Sequence, residues 1–216
     1  MLLAIDTSTN MLGIALHGGG RVLAECVWEG EGHHTVELAP EIALIMRRVG
    51  EPLSSIEAIG VAIGPGSFTG LRIGLALAKG LSLARGLPTV GIPTMDILAL
   101  AQPKRTEPMF VAVRAGRNRI ASLWYKWTRG GWKPQGEPEV LTWDELKESL
   151  EGKAYICADM DNKTRALLRG VPGVTLAPAV QCVRRPGFLA ELAWKRLKSR
   201  KKVSVGGLSP IYLKPE

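Results

Sequence analysis

Cysteine is scarce in this 216-residue chain, and its three copies, Cys26, Cys157 and Cys182, are odd in number and widely spaced. That excludes a disulfide framework and a paired-cysteine zinc site, and leaves buried, reduced thiols as the expectation. Histidine is equally sparse, at His17, His33 and His34. A metal-binding helix starting at His34 needs a second histidine one turn on, where Glu37 and Leu38 stand, so no metal site is expected. Long apolar runs are missing too. Glycine or charge interrupts each one well before the roughly 18 residues that a membrane-spanning helix requires. The N-terminus enters an alternating apolar stretch without a basic leader or cleavage site, so a cytoplasmic address is expected. No internal repeat and no low-complexity tract is visible.

What is present is enough apolar material, 46% of residues, for one large domain or two small ones. Charge is unevenly placed: residues 1–102 hold 6 Lys and Arg against 9 Asp and Glu, whereas residues 103–216 hold 22 against 11. A basic half beside an acidic one fits a polyanionic partner such as nucleic acid, although solvated charged faces give the same count.

Period-two patterning over Leu2–Leu16, broken by Thr7-Ser-Thr-Asn10, reads as a hairpin. A turn at His17-Gly-Gly-Gly20 leads to a third strand over Val22–Trp28. Helical spacing follows from His34 to Val49, with Gly50-Glu-Pro52 as its stop. A short strand over Ile56–Ile63, a Gly64-Pro-Gly66 turn and a helix over Phe68–Arg85 come next, then a strand over Thr89–Ile92 and a helix over Met95–Ala101. Hairpins followed by strand–helix crossovers make a mixed-sheet α/β fold. The polar, proline-bearing segment Gln102–Pro108 coincides with the charge change and divides the chain into units 1–102 and 103–216. The second unit is expected to hold strands over Met109–Val113, Ile120–Trp127 and Ala154–Ala158, a helix over Thr142–Leu150, and a final helix from Pro186 to about Lys202.

Gly64-Pro-Gly-Ser-Phe-Thr-Gly70 lies between strand and helix, where outward-facing amides can cradle an anion or simply make a tight turn. It lacks the Gly-Lys-Ser/Thr ending of a P-loop. On the helix that follows, Gly70, Gly74 and Ala78 form a stripe without side-chain bulk, opposite Leu71, Leu75, Leu77 and Leu81. Such a stripe suits a second subunit or an internal neighbour. Asp6 ends the first strand, where nucleotide-binding α/β folds hold a metal–phosphate and where an aspartate also caps turns. Eight cations between Arg184 and Lys202 against Glu191 read as a phosphate-contacting or a solvated face. In Trp124-Tyr-Lys-Trp127, strand alternation favours core packing over base stacking.

Ala4-Ile-Asp-Thr-Ser-Thr9, His34 with Glu37, Leu38 and Pro40, Gly64-Pro-Gly-Ser-Phe-Thr-Gly-Leu-Arg-Ile-Gly74 and Pro210-Ile-Tyr-Leu213 together resemble the TsaB family, densely over residues 1–100 and thinly afterwards. The resemblance implies a two-lobed actin-like ATPase (ribonuclease H-like) fold with reduced nucleotide machinery. It implies a non-catalytic subunit in threonylcarbamoyl modification of the tRNA adenosine beside the anticodon. Members pair with TsaD, the catalytic paralogue, or with themselves in its absence, and join the ATPase TsaE; tRNA is reached through the complex. Family members dimerise through helices corresponding to residues 34–49 and 68–85. The implied interface comprises His34, Glu37, Leu38, Glu41, Gly70, Arg72, Ile73, Gly74, Leu77 and Ala78. Asp6, Thr7, Ser8, Gly64, Gly66 and Ser67 are implied as a vestigial nucleotide loop. No cofactor of its own is implied, ATP or ADP being held only at a complex interface.

On this reading, Gly74→Leu removes pairing and spares the fold. Where the family has an Asp-Ala-Arg-x-Gly-Glu-like stretch, this chain has Arg114-Ala-Gly-Arg-Asn-Arg119. The rival reading is a metal-dependent peptidase-like or nucleotide-hydrolysing enzyme.

Overall fold

The computed structural model describes residues 1–30, 34–116, 118–199, 203–204 and 207–213. The chain opens with β1 (Leu2–Asp6), β2 (Met11–His17) and β3 (Val22–Glu29), then α1 (His34–Arg48), β4 (Ala58–Ala62), α2 (Phe68–Arg85) and β5 (Thr89–Ile92). A connecting helix, α3 (Thr94–Leu100), leads to β6 (Met109–Arg114), β7 (Ile120–Thr128), β8 (Gly131–Leu141), α4 (Trp143–Ser149), β9 (Ala154–Ala158), α5 (Asn162–Arg169) and β10 (Val174–Leu176). Last come α6 (Pro186–Lys198) and β11 (Val203–Ser204).

Two mixed sheets result, ordered β11-β5-β4-β1-β2-β3 and β10-β9-β6-β7-β8. Each has an antiparallel three-strand meander whose first strand also pairs in parallel with the next strand but two. Without β11, the two sheets have the same strand order and the same directions. The fold is thus internally duplicated, a repeat that no sequence self-similarity reveals, because pairing order needs only apolar alternation and turns.

Alternation along β1 explains the layering of the first sheet. Leu3 and Ile5 face Leu38, Ile42 and Met46 of α1 and Leu75 of α2, while Leu2 and Ala4 face Leu189, Ala190 and Ala193 of α6. With both faces covered, β1 reads as an unbroken apolar run. Gly60 on β4 is what lets α6 sit so low, since a Cβ there would lie 2.6 Å from that of Ala193. In the second sheet, Phe110 and Ile156 pack on α4 and α5, and Val111 and Tyr155 on the α3 side.

The final helix therefore belongs with the first sheet, although its sequence position put it in unit 103–216. The sheets do change between β5 and β6, close to the proline-bearing segment. Four elements escaped the sequence reading, the two-residue β11 among them. β8 is an edge strand carrying Lys133, Pro134, Gln135, Glu137 and Pro138, largely exposed, so it offers no apolar alternation. α5 is a short charged helix capped by Asp161, and β10 has three residues. No helix among the described residues is long and apolar enough to cross a membrane.

Candidate partner face and inter-lobe cleft

The turn after β1 is held from within. One Asp6 carboxylate oxygen accepts hydrogen bonds from the Ser8 amide at 2.9 Å and the Ser8 hydroxyl at 2.5 Å. The other accepts from Arg184 Nε at 3.1 Å. The same guanidinium donates to Thr9 Oγ1 and, at 3.1 Å, to the Met11 carbonyl. Both side chains are almost wholly buried, at 1% and 2% exposure. An arginine thus occupies the carboxylate that a metal–nucleotide would use, and these residues do not fit such a group. Among the described residues, no three His, Cys, Asp or Glu side chains converge to hold a metal.

The glycine-rich loop closes on that turn. Ser67 donates its amide to the Ser8 carbonyl at 2.7 Å, and its hydroxyl caps α2 by accepting from the Gly70 amide. Thr7 Oγ1 donates to the Gly70 carbonyl at 2.7 Å. A Cβ on Gly66 would lie 2.1 Å from the Ser8 carbonyl oxygen, one on Gly70 2.1 Å from that of Thr7, and one on Gly74 2.3 Å from Thr7 Oγ1. Asp6, Thr7, Ser8, Gly66, Ser67, Gly70 and Gly74 are therefore brought together in one internal contact. Gly64 lies at its edge, against the Ile211 carbonyl.

This corrects the expected interface at three positions. Gly70, Gly74 and Ala78 are buried against the chain's own first strand and turn, so the stripe without bulk seats β1 and not another molecule. Gly74→Leu cannot leave the fold intact. Leu38 is also buried, 1% exposed in the α1–sheet core, and forms only the floor of the face. The side chain of His34 lies outside the described residues.

The side of α2 turned to solvent instead carries apolar residues around Arg72. Phe68 is 52% exposed and Leu83 70%, with Ala76 exposed between them and Ile73 and Leu77 half-buried. On α1, Val36 is 65% exposed. A groove of about 550 Å³ runs between the helices, lined by Ala39, Phe68, Arg72, Ile73, Ala76 and Leu77 over Leu38. Glu37 accepts from Trp28 Nε1 at 2.8 Å, and Glu41 is half-buried. Arg72 stacks 3.6 Å above the Phe68 ring and donates to Tyr212 Oη at 3.0 Å. The Pro210–Leu213 segment is thereby tied to the groove's end, its Ile211 amide bonded to the Ile63 carbonyl at 2.7 Å.

Between the lobes is a cleft of about 910 Å³, with Arg114, Arg119, Arg165 and Arg184 facing Thr9 and Ser67. Arg114 and Arg119 of the divergent stretch are exposed at its wall, whereas Arg117 lies outside the described residues. Cys182 lines it too, with Arg165 Nη2 3.7 Å from its sulfur. A hydrogen bond from the Cys157 thiol, then the Ala158 amide and Arg165, hold Cys182 below the ordinary thiol pKa against the effect of burial. The Cys157 thiol is pushed upward by that same hydrogen bond and by burial.

The C-terminal cations are mostly spent inside the chain. Arg184 is on Asp6, Arg185 on Glu25, Lys195 on Glu191 at 3.0 Å, and Arg196 on Gly91 and Asp96. Lys198 sits 4.8 Å over the Trp194 ring, and residues 200–202 lie outside the described residues. Among the described residues of this run, Arg184 and Arg196 are engaged within the chain, while Arg185, Lys195 and Lys198 remain exposed. Trp124 packs edge-on against Phe110 at 5.1 Å and Trp127 against Trp132 at 5.3 Å, as side chains of their own lobe. Arg184 is the residue sequence reasoning missed, since nothing local links it to an aspartate 178 positions away.

A family model described as "TsaD: tRNA N6-adenosine threonylcarbamoyltransferase" matches residues 25–144. The tRNA threonylcarbamoyladenosine biosynthesis protein TsaB of Escherichia coli is 28% identical over 99% of this chain and 94% of its own length. That of Buchnera aphidicola subsp. Baizongia pistaciae is 31% identical over 69% of each chain. A Pseudomonas aeruginosa structure, described as an uncharacterized protein with similarity to peptidase YeaZ, superposes with a TM-score of 0.78 at 23% identity, covering 99% of both chains. That likeness shows the fold alone. More distant solved structures, at TM-scores of 0.50 to 0.55, place the fold among actin-like ATPases. The chain belongs to the TsaB family of tRNA threonylcarbamoyladenosine biosynthesis proteins.

Proposed function

We propose that this chain is the non-catalytic subunit of a threonylcarbamoyl-transferring complex, and that it pairs with TsaD through the outward face of α1 and α2. The carrying observation is the set of exposed apolar side chains Phe68, Ala76 and Leu83 on α2 and Val36 on α1, with Phe68 and Ala76 lining the inter-helix groove. Burying it yields about 25 cal/mol per Å² of apolar area. The TsaD family match over residues 25–144 spans both helices, so a TsaD partner presents an equivalent pair. Two such pairs close into a pseudo-twofold four-helix contact, and two copies of this chain do the same when TsaD is absent.

Glu37, Glu41, Arg72, Ile73 and Leu77 remain the interface members, with Ala76 and Leu83 added. Pairing of Asp6 with Arg184 supports a subunit that leaves metal–nucleotide chemistry to its partner. TsaE joins the assembled pair, tRNA is reached through it, and ATP or ADP is held only where subunits meet.

The test is the double substitution Ala76→Glu with Leu83→Glu, two exposed positions. It is expected to abolish co-elution with TsaD in light-scattering chromatography and the threonylcarbamoylation of tRNA in the reconstituted system, with the melting temperature unchanged. A TsaD complex that survives both charges overturns the reading.

A further inference from the structure

Two of the three thiols in this chain meet where the subunit role has no use for them. Cys157 lies on β9, fully buried, and its Sγ donates to the Gln181 carbonyl at 3.6 Å. Cys182 follows the short turn Ala179–Gln181, and its Sγ donates to the Ala177 carbonyl at 3.7 Å. Both residues belong to one buried cluster, and the carbonyl that Cys157 bonds is that of the residue before Cys182. Cys182 is 5% exposed and forms part of the inter-lobe cleft wall, which gives a small reagent access from one side.

The surroundings of Cys182 are those of an anion. Arg165 directs Nη1 to the Ala177 carbonyl at 3.1 Å and Nη2 to the sulfur at 3.7 Å, so a half-buried guanidinium is placed on a buried thiol. Apolar packing does not require it. A fixed cation stabilises thiolate over thiol, in line with the lowered Cys182 pKa, and the thiolate is the nucleophile. Cys26 is the internal contrast: burial and the Glu41 carboxylate push its thiol upward.

We infer that Cys182 is an oxidant-reactive thiol opening on the cleft, with Cys157 as its resolving partner, and that a hydroperoxide converts the pair to a reversible disulfide. The Cys182 thiolate attacks the terminal peroxide oxygen; the S–O bond forms, the O–O bond breaks, and the departing alkoxide or hydroxide takes a proton from water. Cys157 then attacks the sulfenic sulfur. The S–S bond forms, the S–O bond breaks, and the leaving hydroxide departs as water with the Cys157 proton. Two electrons and two protons pass in sum from the thiols to the peroxide. Cys182 stands two residues before Arg184, the side chain that reaches across to Asp6. The disulfide thereby pins the segment carrying the inter-lobe ion pair to β9.

The reduced full-length chain treated with stoichiometric hydrogen peroxide is expected to lose two hydrogens. Digestion should yield a single linked peptide pair joining Cys157 to Cys182, reversed by dithiothreitol, with Cys26 unmodified. At pH 7, Cys182 should react with iodoacetamide about tenfold faster than Cys26. Cys157→Ser should block the linkage and accumulate a dimedone adduct on Cys182. Oxidation of Cys26 ahead of Cys182, the absence of both linkage and adduct, or a Cys182 sulfenic acid that persists unresolved in the unsubstituted chain would overturn the assignment.

Discussion

Asp6→Asn is expected to lower folding stability by about 3–5 kcal/mol, the usual cost of removing one partner from a buried ion pair. The substitution keeps shape and volume, so the loss reports charge: Arg184, 2% exposed, remains in the inter-lobe contact without its counter-ion. Urea unfolding measures it. Adding Arg184→Met to Asp6→Asn should recover a large part of the loss, because two neutral groups no longer leave a buried charge unpaired, and the double-mutant cycle isolates the coupling. If Asp6 instead served a bound metal–nucleotide, Asp6→Asn would change ligand binding and leave the ligand-free stability nearly untouched.

Gly70→Ala carries the other large effect, an expected loss of about 3 kcal/mol or more, from forcing a methyl group to within 2.1 Å of the Thr7 carbonyl oxygen. A backbone oxygen cannot rotate away as a side chain can. Either α2 shifts off β1 and the turn, or the helix start unwinds. Gly80→Ala on the same helix is the control, since a Cβ there meets nothing within 4 Å. It is expected to be neutral or to stabilise by up to about 1 kcal/mol through helix propensity alone. Equal effects at the two positions, read by thermal and urea unfolding, would refute the internal seating of the stripe. The resulting instability of Gly70→Ala would also lower complex yield, which is why the pairing test uses Ala76 and Leu83.

The distinction between those two surfaces is where sequence reading failed. α2 carries leucines and small residues around most of its circumference, so periodicity shows an amphipathic helix without saying which stripe approaches what. Leucines at Leu71 and Leu75 and the small residues Gly70, Gly74 and Ala78 turn out to be neighbouring parts of one inward side. The close approach of the Thr7 turn removes room for any side chain there. Leu83 and Ala76, unremarkable in a sequence, are the exposed ones.

The cation run between Arg184 and Lys198 misled for a related reason. Charge counted along a chain says nothing of its partners, and those of Arg184, Arg185 and Arg196 lie on β1, β3, β5 and α3. Cys157 and Cys182 read only as buried, reduced thiols, because they stand 25 positions apart with an α-helix between them. β9 and the turn after β10 bring them into contact.

Residue order by itself determined the two-lobed mixed α/β class, most elements of the first lobe, the Gly64–Gly70 loop between strand and helix, and the family resemblance. All of these depend on local alternation, caps and turn residues that neighbouring positions express directly. The duplicated strand order, the return of α6 to the first sheet, the Asp6–Arg184 lock, the thiol pair and the outward stripe of α2 were decided only by tertiary structure. Each is a contact between segments far apart in the chain, and its energy depends on which buried groups find one another, which no local pattern specifies.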